Sequence, residues 1–434
     1  MISTVILGYA TIIIFMGLLM AKKISALVGL IVVPAAVALV GGMGGEVGEY
    51  AMKGIKGVSS TGALMIFAVL YFCIMIAAGM FDPLVEKIVR FIKGDPVKLM
   101  VGTGLLALGT SLDGDSVTTY IIVCSALVPI YRKMGINTLN LAVITLMANS
   151  IPNILPWGGP TARLLAATGL DVSDVMAPWY PTLVVGGIYV LLVSYIMGIQ
   201  ERKRRGPVSM TAEETEELIR EATARNAEFK KPKYRTFNWI LSIFVIASIV
   251  IDIYPPVVMF AIASAIALLV NFSLKEQKEL LEEVGGDILP VASLVFAAGV
   301  FMGILSESGM AAAIAQNLID MIPESMAAHF PIIISFLSVP LLFVSSNDAF
   351  YFGIVPVFVE TAASYGYTTL EIGLASLVGQ AFRLLSPTVA SIYVLIQMTG
   401  VNMVEWQITT AKWAIGLFVI YIVMLYIVLG AIPL

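Results

Sequence analysis

Along most of the chain, apolar residues run for about twenty positions at a time, the length a helix needs to cross the hydrocarbon core of a bilayer. Short polar joints separate the runs. The pattern predicts spans near 2–20, 24–40, 61–79, 138–170, 177–198, 237–253, 256–272, 287–306, 369–400 and 409–431. Of these, 138–170 and 369–400 are broken near the middle by Gly, Pro and small polar residues. Two further stretches, 97–131 and 329–364, are too long for one crossing and are polar at their centres, so each predicts a re-entrant hairpin that enters and leaves on one side. Between 82 and 93, Leu84, Val85, Ile88, Val89 and Ile92 share one face, the spacing of an interfacial amphipathic helix. Met1 leads into the first run with no basic segment or small-residue cleavage site, so that span is expected to be retained.

Composition narrows the class. Hydrophobic residues make up 59% and charged residues 12%, with mean hydropathy +0.96, values that exclude a string of soluble domains. The net charge of −4 with no soluble basic face argues against a nucleic-acid partner. One histidine (His329) and two cysteines (Cys73, Cys124) within or beside apolar runs leave no zinc set, disulfide framework or Ser–His–Asp site. No GxxxxGK[ST] loop is present, so an ATP-driven pump would need a partner subunit.

Basic residues set the orientation. With Lys22 and Lys23 on the cytoplasmic side, and with both hairpins returning to the side they came from, 21 of the 25 Lys and Arg lie inside. Lys53 and Lys56 fall outside, and Arg163 and Arg383 lie within membrane segments. Both termini are then outside, in a cytoplasmic (inner) membrane. The loop 199–236 is cytoplasmic, with ERKRR at 201–205 facing anionic lipid and Thr211-x-x-Glu214 capping a short charged helix.

The chain repeats itself. GINTLNLAVITLMAN (135–149) matches GYTTLEIGLASLVGQ (366–380) at an offset of 231, Gly79-Met80 matches Gly309-Met310 at 230, and SLDGD at 111 matches SSND at 345 at 234. The fold expected is an all-α polytopic membrane protein of about ten transmembrane helices plus two re-entrant hairpins. Residues 1–198 and 237–434 form the repeats, joined by the 199–236 linker. Five crossings per repeat is an odd number, so the two are inverted, the architecture of secondary transporters with binding at the midplane.

Four polar interruptions are the candidate site. They are the hairpin tips Ser111-Leu112-Asp113-Gly114-Asp115-Ser116 and Ser345-Ser346-Asn347-Asp348, and the breaks Leu155-Pro156-Trp157-Gly158-Gly159-Pro160-Thr161 and Leu385-Ser386-Pro387-Thr388. Non-helical backbone survives at membrane depth only where it lines a protein cavity, and its freed amides and carbonyls can then meet a ligand. An ionised carboxylate at the bilayer centre costs ~2.5–3.5 kcal/mol on insertion scales. Asp113, Asp115 and Asp348 therefore call for a bound cation, a proton or a basic partner. Asp113 and Asp115 offer hard oxygen ligands for Mg²⁺ or Ca²⁺, and either also suits the N-terminus of the second arm as a cap. Arg163 and Arg383 would grip an anionic substrate, compensate the aspartates, or form a structural ion pair. Asn149, Asn153 and Gln380 are candidate hydrogen-bonding residues, Trp157 a substrate contact or a packing plug, and Glu307, Glu360 and His329 are expected nearer the outer surface.

At SLDGDSVTTY (111–120), LPWGGPTAR (155–163), FRLLSPTVAS (382–391) and FDPLVEKIVRFIKGDPVK (81–98), the chain resembles the citrate–metal–proton symporter family, CitMHS, over essentially its full length. The resemblance implies uptake of citrate chelated to a divalent metal as co-substrate, driven by protons as the coupling ion, with no permanent cofactor and no enzymatic activity. The more distant divalent-anion:sodium symporters imply a homodimer with a scaffold and an elevator-like moving domain. Those relatives carry Ser-Asn-Thr at both tips, where this chain has Ser-Leu-Asp and Ser-Asn-Asp. On this reading Ser111, Asp113, Gly114, Asn153, Gly158, Gly159, Thr161, Ser345, Ser346, Asn347, Ser386, Pro387 and Thr388 bind substrate. Asp113, Asp115 and Asp348 couple metal or proton, and Arg163 and Arg383 compensate charge. A sodium-coupled carrier of another carboxylate or sugar acid, and a channel or anion-pump subunit, are the alternatives.

Overall fold

Polar residues at the joints between apolar runs start the helices. Asp95, Asn137, Asp171 and Asn402 each accept an amide hydrogen bond at a helix N-terminus, and Ser273 and Thr368 close capping boxes with Glu276 and Glu371. The computed structural model describes residues 3–114, 116–206, 213, 216–217, 219–220, 231–251, 253–319, 327–344, 346–386 and 389–433, and no strand occurs among them.

The first half runs α1 (Thr4–Met20), α2 (Ala26–Val40), α3 (Val47–Gly57), α4 (Ser59–Ala77), α5 (Asp82–Ile92), the hairpin arms α6 (Pro96–Thr110) and α7 (Ser116–Lys133), the broken pair α8 (Thr138–Ser150) and α9 (Gly159–Thr168), and α10 (Val172–Arg205). The second runs α11 (Arg235–Val250), α12 (Pro256–Asn271), α13 (Leu274–Glu307), α14 (Met310–Ile319), arms α15 (Phe330–Val344) and α16 (Val355–Ala363), the broken pair α17 (Thr369–Leu377) and α18 (Ala390–Thr399), and α19 (Met403–Ile422). A π-helical stretch, Ala349–Ile354, leads into α16, and a single turn, Gln380–Arg383, sits between α17 and α18. The helix starts Thr4 and Arg235, Thr138 and Thr369, Gly159 and Ala390, and Val172 and Met403 all lie 231 residues apart. Both arms of each hairpin pack on the first piece of the broken pair that follows, α8 or α17.

Two apolar cores result. One gathers the hairpin arms, the broken pairs, α10 and α19; the other gathers α1, α2, α4 and α11 to α14. Trp157, Ala162 and Phe352 reach from elements of the first core into the second. The outer faces carry bare aliphatics, among them Val184, Ile188 and Leu192 on α10 and Ile240 and Ile243 on α11. Apolar faces of this extent on several helices suit lipid, not water.

Several elements depart from the pattern-based expectation. Residues 47–57, expected as an outer loop, form α3, and 274–286, expected as a cytoplasmic loop, is the start of α13. These two helices cross so closely that a Cβ on Gly54 would lie 1.9 Å from the Gly299 carbonyl oxygen. Lys53 ties them together through Glu307 at 2.9 Å. The span expected at 177–198 continues as a helix to Arg205. Among the described residues five helices are long and apolar enough to cross a bilayer alone, fewer than the ten expected spans. Shorter ones such as the 15-residue α2 rise only ~22 Å at 1.5 Å per residue. The amphipathic helix forms as expected, with Val85, Ile88, Val89 and Ile92 buried. The Thr211 capping box lies outside the described residues. Farther along the linker, Ile219 is buried in the first core and Glu216 accepts from Nη1 and Nη2 of Arg90, fixing this part of the linker to α5. At its far end Lys231 donates to Glu276 and holds that carboxyl down to about 2, with Ser273 adding to the effect.

Candidate functional site

The first hairpin closes through a 3-10 turn, Ser111–Asp113, after which Gly114 turns left-handed (φ 77°) and returns its amide to the Ser111 carbonyl at 3.0 Å. Gly114 is needed for that φ and for space, because a Cβ there would sit 3.2 Å from Trp157. The Trp157 indole N–H donates to the Leu112 carbonyl at 2.8 Å, so the tip is fastened to the break between α8 and α9. Within the break, Thr161 donates to the Ile154 carbonyl at 2.6 Å and the Gly158 amide to that of Leu155 at 2.7 Å. A Cβ on Gly158 would lie 2.0 Å from the carbonyl oxygen of half-buried Asn153, which is why only glycine fits.

A polar trio secures each second arm. In the first half the Asn149 amide donates to Ser116 Oγ at 2.7 Å and Tyr120 OH at 3.3 Å. In the second the Gln380 amide donates to Asn347 Oδ1 at 3.3 Å and Tyr351 OH at 2.9 Å. Asn149 and Gln380, Ser116 and Asn347, and Tyr120 and Tyr351 are each 231 residues apart. The match of SLDGD with SSND at 234 is thereby corrected beyond the tip. The α6 and α15 ends, Thr110 and Val344, keep the 234 spacing, but the returning helices start at Ser116 and Asn347. The first tip therefore holds three more residues than the second, and Asp113 has no counterpart at Asp348.

The second half adds charge. Arg383, buried, donates through Nε to Asn347 Oδ1 at 3.1 Å and through Nη1 to the Leu342 carbonyl at 3.0 Å. Ser386 donates to the Phe343 carbonyl at 2.5 Å, and Ser346 Oγ accepts the Ala349 amide at 3.1 Å. Arg163, from the first half's break, donates Nε to Asp348 Oδ1 at 2.5 Å and Nη1 to the Gly159 carbonyl at 2.9 Å. That ion pair joins break and tip across the two halves, and both side chains are mostly buried.

Beside it lies a cavity of about 610 Å³, lined on one side by Gly114, Trp157, Gly159 and Arg163 and on the other by residues of α4 and α13. Of the predicted site residues, Ser111, Gly114, Asn153, Gly158, Gly159, Thr161 and Arg163 gather at the first tip and break; Ser346, Asn347, Asp348, Arg383 and Ser386 gather at the second. The side chain of Asp113 and all of Asp115, Ser345, Pro387 and Thr388 lie outside the described residues. Among the described residues no cluster of three or more His, Cys, Asp or Glu stands ready to hold a metal ion. Glu307 pairs with Lys53 and His329 is exposed, so neither joins the tips. Sequence reasoning passed over Tyr120 and Tyr351 as members of the trios; the 231-residue spacing pairs them.

Comparison with known proteins gives a consistent result. A family model described as citrate transporter, CitMHS, matches residues 10–379. A citrate transporter of Bacillus subtilis strain 168 is 43% identical over 412 residues, 95% of each chain. A Mg²⁺/citrate complex secondary transporter of the same organism is 38% identical over 429 residues, 98% of each chain. Among solved structures, Neisseria gonorrhoeae MtrF aligns with TM-score 0.60 at 12% identity, over 91% of this chain and 86% of that one. Alcanivorax borkumensis YdaH aligns with TM-score 0.60 at 12% identity over 88% of both. At that identity the likeness concerns the fold.

Proposed function

The chain belongs to the CitMHS family of citrate transporters, and from that premise we propose that it imports citrate as a complex with a divalent metal, Mg²⁺ or Ca²⁺, in symport with protons. It is a multi-pass membrane transporter and not an enzyme. One observation carries the finer reading: Arg163 and Asp348 meet from different halves of the chain, beside a cavity and among the tips and breaks. Arg383 lies nearby, so two guanidinium groups stand at the second tip, cationic partners for an anion or for the aspartates of the tips.

Charge arithmetic favours the chelate. Citrate at neutral pH is a trianion, and carrying it into a negative interior costs ~2.3 kcal/mol per charge per 100 mV. Bound to a divalent metal it carries −1, and two or more protons would make entry electrically favourable. In this account Ser111, Asp113, Gly114, Asn153, Gly158, Gly159, Thr161, Ser345, Ser346, Asn347, Ser386, Pro387 and Thr388 surround the cargo. Asp113, Asp115 and Asp348 take metal or proton, and Arg163 and Arg383 balance charge. The halves are inverted repeats with re-entrant hairpins, and the core holding the hairpins moves against the other in an elevator-like step. The protein is a homodimer in the cytoplasmic membrane with the 199–236 loop inside.

The test is uptake of labelled citrate into proteoliposomes in sodium-free buffer under an imposed proton gradient. Uptake that rises at least tenfold with Mg²⁺ or Ca²⁺ is expected. Uptake that needs sodium and ignores the metal would replace this reading with a sodium-coupled carrier.

A further inference from the structure

The two walls of the 610 Å³ cavity differ in kind. One bears Arg163, whose Nε and Nη1 have partners in Asp348 and Gly159, while Nη2 has none among the described residues. The other is mostly apolar: Phe72 and Ile76 of α4 and Val291 and Leu294 of α13 offer no hydrogen-bonding side chain, and Cys73 of α4 and Thr118 of α7 are the polar side chains near them in the lining. Trp157 stands between them, held by the Leu112 carbonyl and packed on Phe72 and Phe260 at ring-centroid distances of 5.7 and 4.9 Å. A citrate–metal complex, polar on every side, gains nothing from that aliphatic and aromatic wall. The volume falls in the ~300–1,000 Å³ range of sites that bury a drug-sized ligand with an apolar body and few polar anchors.

We infer that this cavity binds a second class of ligand, a carboxylate with an apolar body such as an arylalkanoate. Its carboxylate sits at Arg163 and its ring lies against Trp157, α4 and α13. Because α9, which carries Arg163, contributes to both apolar cores while the wall belongs to one, such a ligand ties α9 to α4 and α13 and inhibits transport. Only that last consequence rests on the transport reading.

Calorimetry of the purified full chain with 4-phenylbutyrate, 4-phenylbutyramide and butyrate tests the inference. The aryl acid is expected to bind at least tenfold more tightly than the neutral amide and than the acid lacking a ring. Leu294→Trp, which fills the wall side, should weaken the aryl acid about tenfold, and Arg163→Gln should erase its advantage over the amide. Should Leu294→Trp fail to fold, Val291→Ala provides the same comparison by removing wall contact. If acid and amide bind alike, or the wall variants bind the acid as wild type does, the wall is a packing seam and the inference is overturned. No citrate enters the measurement, so the inference stands or falls on the aryl acid alone, and failure of the separate citrate-uptake test would leave it standing.

Discussion

The two hairpin turns do the same structural job with different chemistry. At the first, the described contacts run through neutral groups, Trp157 on the Leu112 carbonyl and Asn149 on Ser116 and Tyr120, while Asp115 and the Asp113 side chain lie outside the described residues. The second is tied by guanidinium groups, Arg383 to Asn347 and Arg163 to Asp348. At the 231-residue spacing, the position of Arg383 in the first half is Pro152, which has no charge and no N–H. Duplicated scaffolding thus keeps its hydrogen-bonded trio while the two arginine contacts fall on the second tip.

Breaking the charged side should cost most. Arg383→Leu removes one of the two donors to Asn347 Oδ1 and leaves the buried Leu342 carbonyl without its Arg383 donor, about 1–3 kcal/mol for that acceptor. Thermal unfolding of the detergent-solubilised protein should drop by several degrees and citrate uptake should be lost. The interhalf pair comes next. Arg163→Gln or Asp348→Asn should lower uptake ten- to a hundredfold, and a double-mutant cycle on stability should give a coupling of about 0.5–3 kcal/mol, against near zero for sites that do not touch. At the first half's break, Gly158→Ala drives a methyl into the Asn153 carbonyl and should cost more than tenfold in uptake. Gly159→Ala meets only Arg163 Nη1, at 3.1 Å, and should cost less. The smallest effect sharpens the comparison: Tyr351→Phe removes the hydroxyl that accepts the Gln380 amide at 2.9 Å, ~0.5–1.5 kcal/mol in thermal unfolding.

Much of this was written in the hydrophobic pattern. The breaks at Pro156–Pro160 and Ser386–Pro387, the polar centres of 97–131 and 329–364, and the amphipathic 82–93 all interrupt or modulate runs of apolar residues, so periodicity reveals them. Helix α3 escaped because Gly48, Gly54 and Gly57 lower its helix propensity. It is helical because Gly54 lets it cross α13, a tertiary contact with no local signature. The three-residue difference between the tips escaped because a short motif match reads one register only, and the register changes at the turn itself. Which arginine meets which aspartate was open for the same kind of reason: Arg163 and Asp348 are 185 residues apart, and spacing along the chain does not say who meets across the halves.

The central claim is that an anion is received where these halves join, at Arg163. Calorimetry of the purified chain with citrate plus Mg²⁺, for wild type and Arg163→Gln with matched thermal stability, tests it most directly. The account predicts saturable binding in wild type and at least a hundredfold loss in the variant. Equal affinity in the two proteins would contradict it.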